Sequence, residues 1–216
     1  MNAPEKVLRY YVLCNRLKDV VRTGWKDWEV SRERVESIAE HVYSVQMLAI
    51  AMQSEYKYDI DFEKVLKMLA VHETEEIIIG DLTIFDIGRE EKEKIGHEAV
   101  KKIFKNLDDG ESFVDLIFEF DARETAEAKF AYWCDKLEAD LQARVYDIEH
   151  DVNPAKVKEN ERNVKNADVK RLLDSGLSWG QMWLRFGQER YDYDKNFAEV
   201  SKFAEKHDIL KYRNDQ

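Results

Sequence analysis

The chain has 216 residues, 37% of them charged, with a formal net charge of −11, two prolines and eight glycines. That composition suits one domain of long amphipathic helices around a real core, and it excludes a turn-rich β fold. The acidic balance also excludes a protein that coats a nucleic-acid backbone, and it admits a small anionic substrate only where a metal or a local cation receives it.

The opening stretch MNAPEKVLRYYVLCNRLKDVV alternates charged and apolar residues, so neither a secretion signal nor a membrane span is expected. Cys14 and Cys134 form no disulfide framework and no zinc pattern, and read as reduced thiols of a cytoplasmic protein. The apolar spacing predicts a first helix from Pro4 that buries Val7, Leu8, Tyr11, Val12 and Leu17 and ends before RTGW (22–25), where Gly24 breaks the pattern. A loop is expected from Lys26 to about Glu36. The next helix begins at Ser37, with Glu40 completing a capping box, and buries Ile38, His41, Val45, Leu48 and Met52. Asp61 caps a third helix, which runs through Val65, Leu66, Leu69 and Ala70 to His72 and continues to Ile79, with Gly80 as its stop. Further helices are expected at about 90–107, 111–119, 123–148, 154–175, 178–191 and 194–207, with a DDG turn at 108–110. In the 90–107 helix, Ile95, Ala99, Val100, Ile103 and Phe104 face inward. No stretch alternates with period two, so the fold is read as all-α.

The residues that can carry chemistry begin with HETEE at 72–76. On a continuous helix His72 and Glu76 share a face, with Glu73 beside them, and imidazole and carboxylate ligands gathered this way suit a divalent metal. The alternative is a solvated helix end. His41 lies on an apolar stripe, where a histidine is ordinarily a satisfied core residue unless other ligands face it. Asp135 lies off the main apolar face of its helix (Phe130, Trp133, Cys134, Leu137, Leu141, Val145) and is flanked by Ala128, Ala131 and Ala139, a sign of close helix approach. Asp140 has Lys136 and Arg144 four residues to either side, the pattern of a solvated ion-pair ladder, so Asp135 is the better candidate ligand. His97 reads as a solvent-facing or partly buried helix residue, WGQMWLRF and YDYDKNF as helix-packing aromatics, and the acidic N-terminal half of REEKEKIGHE as a solvated helix start.

His41, His72 followed by an acid, and Asp135 together resemble the H…HD…D signature of the HD-domain metal-dependent phosphohydrolases. The context resembles most the YfbR-like 5′-deoxynucleotidase branch, through RTGW (Arg22, Trp25), SIAEH (His41) and HETEEIIIGD (His72, Glu73, Glu76, Gly80, Asp81). One departure is that the family's His-Asp doublet is His72-Glu73 here. The resemblance implies an HD-domain helical bundle as a single domain over 1–216, with the motif-bearing core at about 22–148 and additional C-terminal helices at about 154–210. It implies that His41, His72, Glu73 and Asp135 hold one divalent ion (Mn, Co, Mg, Fe, Ni or Zn) and that Glu76 handles the attacking water. It further implies that Arg22, Trp25 and Asp81 bind the substrate, a nucleoside 5′-monophosphate, and that the protein is a cytoplasmic homodimer with neither nucleic acid nor membrane as partner. On the residues alone Arg22 reads as a helix C-terminal cation, Trp25 as a core anchor and Asp81 as a turn residue. Two other readings remain: an HD-fold nucleotide-binding or regulatory module, and a phosphohydrolase acting on another nucleotide.

Overall fold

The computed structural model describes residues 1–83 and 86–214. The regular elements among the described residues are helices, apart from one isolated antiparallel bridge between Val21 and Ser37. The helices are α1 (Ala3–Asn15), α2 (Thr23–Asp27), α3 (Ile38–Tyr56), α4 (Phe62–Val71), α5 (Glu76–Ile79), α6 (Arg89–Phe104), α7 (Gly110–Ala122), α8 (Ala126–Ile148), α9 (Pro154–Glu159), α10 (Ala167–Asp174), α11 (Trp179–Arg190) and α12 (Lys195–Lys206). The all-α expectation therefore holds. None of these helices is long and apolar enough to cross a membrane.

The chain divides into two compact units. One comprises Met1–Thr23 with Glu36–Cys134, and the other Gly24–Val35 with Asp135–Gln216. In the first, α3 packs on α4, α4 on α7, α5 on α6 and α6 on α7. Its core gathers Leu17, Ile38, Val71, Ile77, Val100, Ile103, Phe104 and Ile117. In the second, α11 packs on α10 and α12. Its core is aromatic, with Trp25 and Trp28 set among Tyr146, Leu172, Trp179 and Met182.

The two start signals read from the sequence are made as expected. Ser37 and Glu40 form a reciprocal capping box at α3, and the Asp61 side chain accepts from Lys64 N at α4. Three expectations fail. In α1 the residues Val7, Leu8, Tyr11 and Val12 are 61–62% exposed; the helix turns its other face inward, where Tyr10, Leu13 and Cys14 pack on the first core. The loop expected from Lys26 to about Glu36 is present from Trp28, after a short helix at Thr23–Asp27 whose Trp25 enters the aromatic core. The helix expected through Ile79 stops at Val71. Thr74 bonds the Val71 carbonyl with both its N–H (3.0 Å) and its hydroxyl (2.8 Å), taking the acceptor that a continuing helix would offer to Glu75. The 154–175 segment is broken between α9 and α10, where Asn160 Nδ2 (2.5 Å) and Asn163 Nδ2 (3.2 Å) both donate to the Asp27 carbonyl.

Candidate metal centre

His41 belongs to the second turn of α3 and is fully buried; His72 follows α4 as its C-cap residue and is also buried. The turn between α4 and α5 carries Glu73, so the shared-face argument for His72 and Glu76 gives way to a turn that brings Glu73 up to the histidines. Glu73 Oε1 lies 3.7 Å from His41 Nε2 and 3.8 Å from His72 Nε2. Asp135 follows Cys134 along α8 without a break in the helix, and it is buried. His41, His72, Glu73 and Asp135 each offer one ligand atom, and these atoms all lie within 4.8 Å of one another.

This donor set fits a divalent cation. Donors that share one ion at about 2.0–2.6 Å cannot be separated by much more than the spacing seen here. Chemistry agrees with size. The Leu69 carbonyl, which can only accept, lies 2.8 Å from His72 Nδ1. That ring nitrogen therefore carries the proton, and Nε2 presents a lone pair toward the Glu73 carboxylate. A buried lone pair facing a carboxylate oxygen calls for a cation between them. The extra methylene of Glu73, relative to the aspartate of the resembled doublet, lets one oxygen stand almost equally far from both imidazoles. The sequence argument ranked Asp135 over Asp140, and the cluster includes Asp135.

Asp140 itself is a correction. It is fully buried rather than solvated, its Oδ2 accepting from the Tyr193 hydroxyl at 3.3 Å and facing Gly187, where an added Cβ would lie 2.0 Å away. The cations expected to flank it are engaged elsewhere, Lys136 with Asp135 (2.7 Å) and Arg144 with Asp147 (2.7 Å). Burial pushes the Asp140 carboxyl well above the usual carboxylate range.

Glu76 opens α5 with its side chain buried; Lys92 Nζ stands 3.5 Å from Oε1, and Oε2 has no hydrogen-bond partner among the described residues. Burial pushes this carboxyl well above its ordinary range, and the nearby charges of Glu73 and Asp81 push it further. Glu75 leaves the cluster to pack over Gly96 of α6, where an added Cβ would lie 3.4 Å from its Cγ. Asp81 follows Gly80, whose φ of +73° suits glycine, and is tied to Thr23 twice: Thr23 N donates to Asp81 Oδ2 (2.5 Å) and Thr23 Oγ1 donates to the Asp81 carbonyl (2.7 Å). Arg22, next to Thr23, is paired with Glu36, its Nε 4.0 Å from Glu36 Oε2. Glu36 in turn offers a carboxylate oxygen within 4.8 Å of a ring nitrogen of His41.

Trp25 lies in the aromatic core. It is 1% exposed and ringed by Tyr146, Trp179 and Trp183 at centroid distances of 5.4–6.2 Å, so the core-anchor reading describes it. Sequence reasoning missed Glu36 and Lys92. Glu36 stood one residue before a recognised helix cap, and Lys92 stood inside a charge run read as solvated.

A family model described as an HD domain matches residues 14–175. The human 5′-deoxynucleotidase HDDC2 is 32% identical over 148 residues, covering 67% of this chain and 70% of that protein. The 5′-deoxynucleotidase hdd1 of Schizosaccharomyces pombe is 31% identical over 165 residues, covering 72% and 80%. Among solved structures, the PH0347 protein from Pyrococcus horikoshii OT3 superposes with a TM-score of 0.66 at 25% identity, covering 92% of this chain and 98% of that one. A predicted metal-dependent phosphohydrolase from Magnetospirillum magnetotacticum MS-1 gives 0.57 at 22% identity, covering 93% and 95%, a likeness of fold.

Proposed function

Since this chain belongs to the HD-domain family of phosphohydrolases, we propose that it hydrolyses deoxynucleoside 5′-monophosphates to nucleoside and phosphate, with one divalent ion held by His41, His72, Glu73 and Asp135. The observation that carries this reading is the four-residue donor group within 4.8 Å, with the buried carboxylate of Glu76 one turn along the chain. When bound, a divalent ion there supplies positive charge to the phosphate oxygens and makes a nearby water more acidic.

The chain's own groups do the rest. Glu76, whose Oε2 has no hydrogen-bond partner among the described residues, takes a proton from the water that attacks phosphorus. The P–O bond to the nucleoside breaks, and the 5′ oxygen leaves as a hydroxyl once protonated. Arg22 offers a forked guanidinium to the phosphate, and its tie to Glu36 holds that fork close to His41. Asp81, fixed by Thr23, accepts from a sugar hydroxyl. A pure binding module has no use for a water-handling carboxylate in this position, which favours the enzyme reading. The printed names of the relatives favour a monophosphate of a deoxynucleoside over other nucleotides.

Three further features belong to the same reading. The family match spans residues of both compact units, which supports one HD-type domain. The exposed apolar residues Val7, Leu8, Tyr11 and Val12 of α1 and Tyr43, Met47 and Ile50 of α3 support a homodimer. A chain with only two cysteines supports a reducing, cytoplasmic setting. The deciding experiment is phosphate release from a panel of nucleotides with Mg²⁺, Mn²⁺, Co²⁺ and Zn²⁺ in parallel. Release from deoxynucleoside monophosphates that requires a metal is expected, and its absence with every metal would overturn the enzyme reading.

A further inference from the structure

Lys92 has no part in the mechanism above, and its place is unusual on local grounds. It lies early in α6, where the exposed end of a helix N-terminus disfavours a cation and where Glu90 and Glu91 are the acids that suit it. Glu91 and Lys94 face solvent, whereas the Lys92 side chain is 31% exposed. Glu73, Glu76, Asp81 and Glu75 all direct negative charge at it. Its ammonium is committed at two points: it donates to the Leu82 carbonyl at 2.8 Å and stands 3.5 Å from Glu76 Oε1.

Those two contacts have different consequences. The bond to Leu82 ties α6 to the segment after Gly80, and so to Asp81, which Thr23 grips from the other side. The ion pair with Glu76 engages Oε1, while Oε2 has no hydrogen-bond partner among the described residues. A carboxylate free to rotate presents either oxygen in many directions. One held by a cation at a single oxygen presents the other in a fixed direction, and a base works only within hydrogen-bond reach of the proton it takes.

We propose that Lys92 is the positioning residue of this site, holding Glu76 by Oε1 so that Oε2 is the oxygen that meets water, and holding the Asp81 segment by the Leu82 carbonyl. This inference rests on the reading of Glu76 as the water-handling group. It differs from a phosphate-binding role, because the ammonium already serves two protein oxygens.

The test is a cycle of Lys92→Met and Glu76→Gln, singly and together, in the metal-loaded enzyme with a deoxynucleoside 5′-monophosphate. Lys92→Met is expected to lower kcat by about 10–100-fold, the range for a residue that orients a catalytic group. KM and metal content should stay within about threefold, half a decade in binding. In the Glu76→Gln background the same substitution should cost less than about threefold, since its effect runs through Glu76. Lys92→Arg should recover part of the lost kcat. If Lys92→Met does not fold, judged by near-ultraviolet circular dichroism, Lys92→Arg in both backgrounds carries the same comparison. An equal loss of kcat in both backgrounds, or a loss confined to KM, overturns the inference and leaves the Glu76 reading standing. A Glu76→Gln enzyme with undiminished kcat removes the Glu76 reading, and this inference falls with it.

Discussion

Replacing Glu76 with glutamine tests the proposed chemistry most directly, because the change keeps shape and removes only the base. The side chain is 2% exposed, so glutamine fills the same volume. Its carbonyl can still face Lys92, which in any case keeps the Leu82 carbonyl at 2.8 Å. Burial first, then the charges of Glu73 and Asp81, disfavour the ionised carboxylate here, so a neutral amide removes repulsion and the fold has no electrostatic reason to weaken. Glu76 lies outside the four-residue donor group, so the charge of that group is unchanged and metal affinity should shift by less than about tenfold. Turnover should fall by about 10²–10⁴, the usual cost of a lost general base, which corresponds to about 2.7–5.4 kcal/mol on the barrier. Initial rates of phosphate release alongside calorimetric metal titration separate the two quantities. A variant that binds metal normally and turns over at the parent rate refutes the role given to Glu76. One that loses the metal shows that Glu76 is a ligand rather than a base.

Glu73→Asp should weaken metal binding by at least about tenfold, because withdrawing the carboxylate by about one carbon–carbon bond (~1.5 Å) spoils the near-equal reach of Oε1 to the two histidines; tighter metal binding in a calorimetric titration would show that the backbone is not adapted to glutamate. Arg22→Ala should lower kcat/KM by about 10–100-fold, chiefly through KM, the range for losing hydrogen bonds to a charged group, with metal affinity kept. Asp140→Asn tests the buried carboxyl in the second unit. Its folded pKa is raised, so between the ordinary carboxylate value of about 4 and that raised value the folded state holds a proton that the unfolded state has lost, and parent stability falls as pH rises. The stability of Asp140→Asn relative to the parent should therefore climb as pH increases above about 4 in urea melts, and a flat difference would show that Asp140 is ionised in the fold.

Much of the fold could be read locally. Ser37 with Glu40, and Asp61, mark helix starts through bonds that span three residues, and a chain carries those bonds wherever it goes. What failed was decided by partners distant in sequence. The carbonyl of Asp27 breaks the 154–175 segment by accepting from Asn160 and Asn163, and nothing near those asparagines announces it. The apolar residues of α1 were numerous enough to supply two faces, and periodicity cannot say which of them the chain covers. The core took Tyr10, Leu13 and Cys14 and left Val7, Leu8, Tyr11 and Val12 exposed.

The site divides along the same line. The members of the candidate donor group were legible because residue type limits what a buried histidine or acid can do, and the order of motifs along the chain added to that. Charge spacing misled where two arrangements satisfy it equally. Lys136 and Arg144 stand four residues from Asp140, yet Lys136 reaches Asp135 and Arg144 reaches Asp147, so a ladder on paper becomes a buried acid beside Gly187 and Tyr193. Lys92 was missed for the converse reason. Its run of charges reads as solvated, while its contacts are with Leu82 and Glu76, ten and sixteen residues earlier in the sequence and joined to it only by folding. A helix start that carries an inward cation is therefore a place to look for the carboxylate it holds. Here that carboxylate is the group on which the proposed reaction turns.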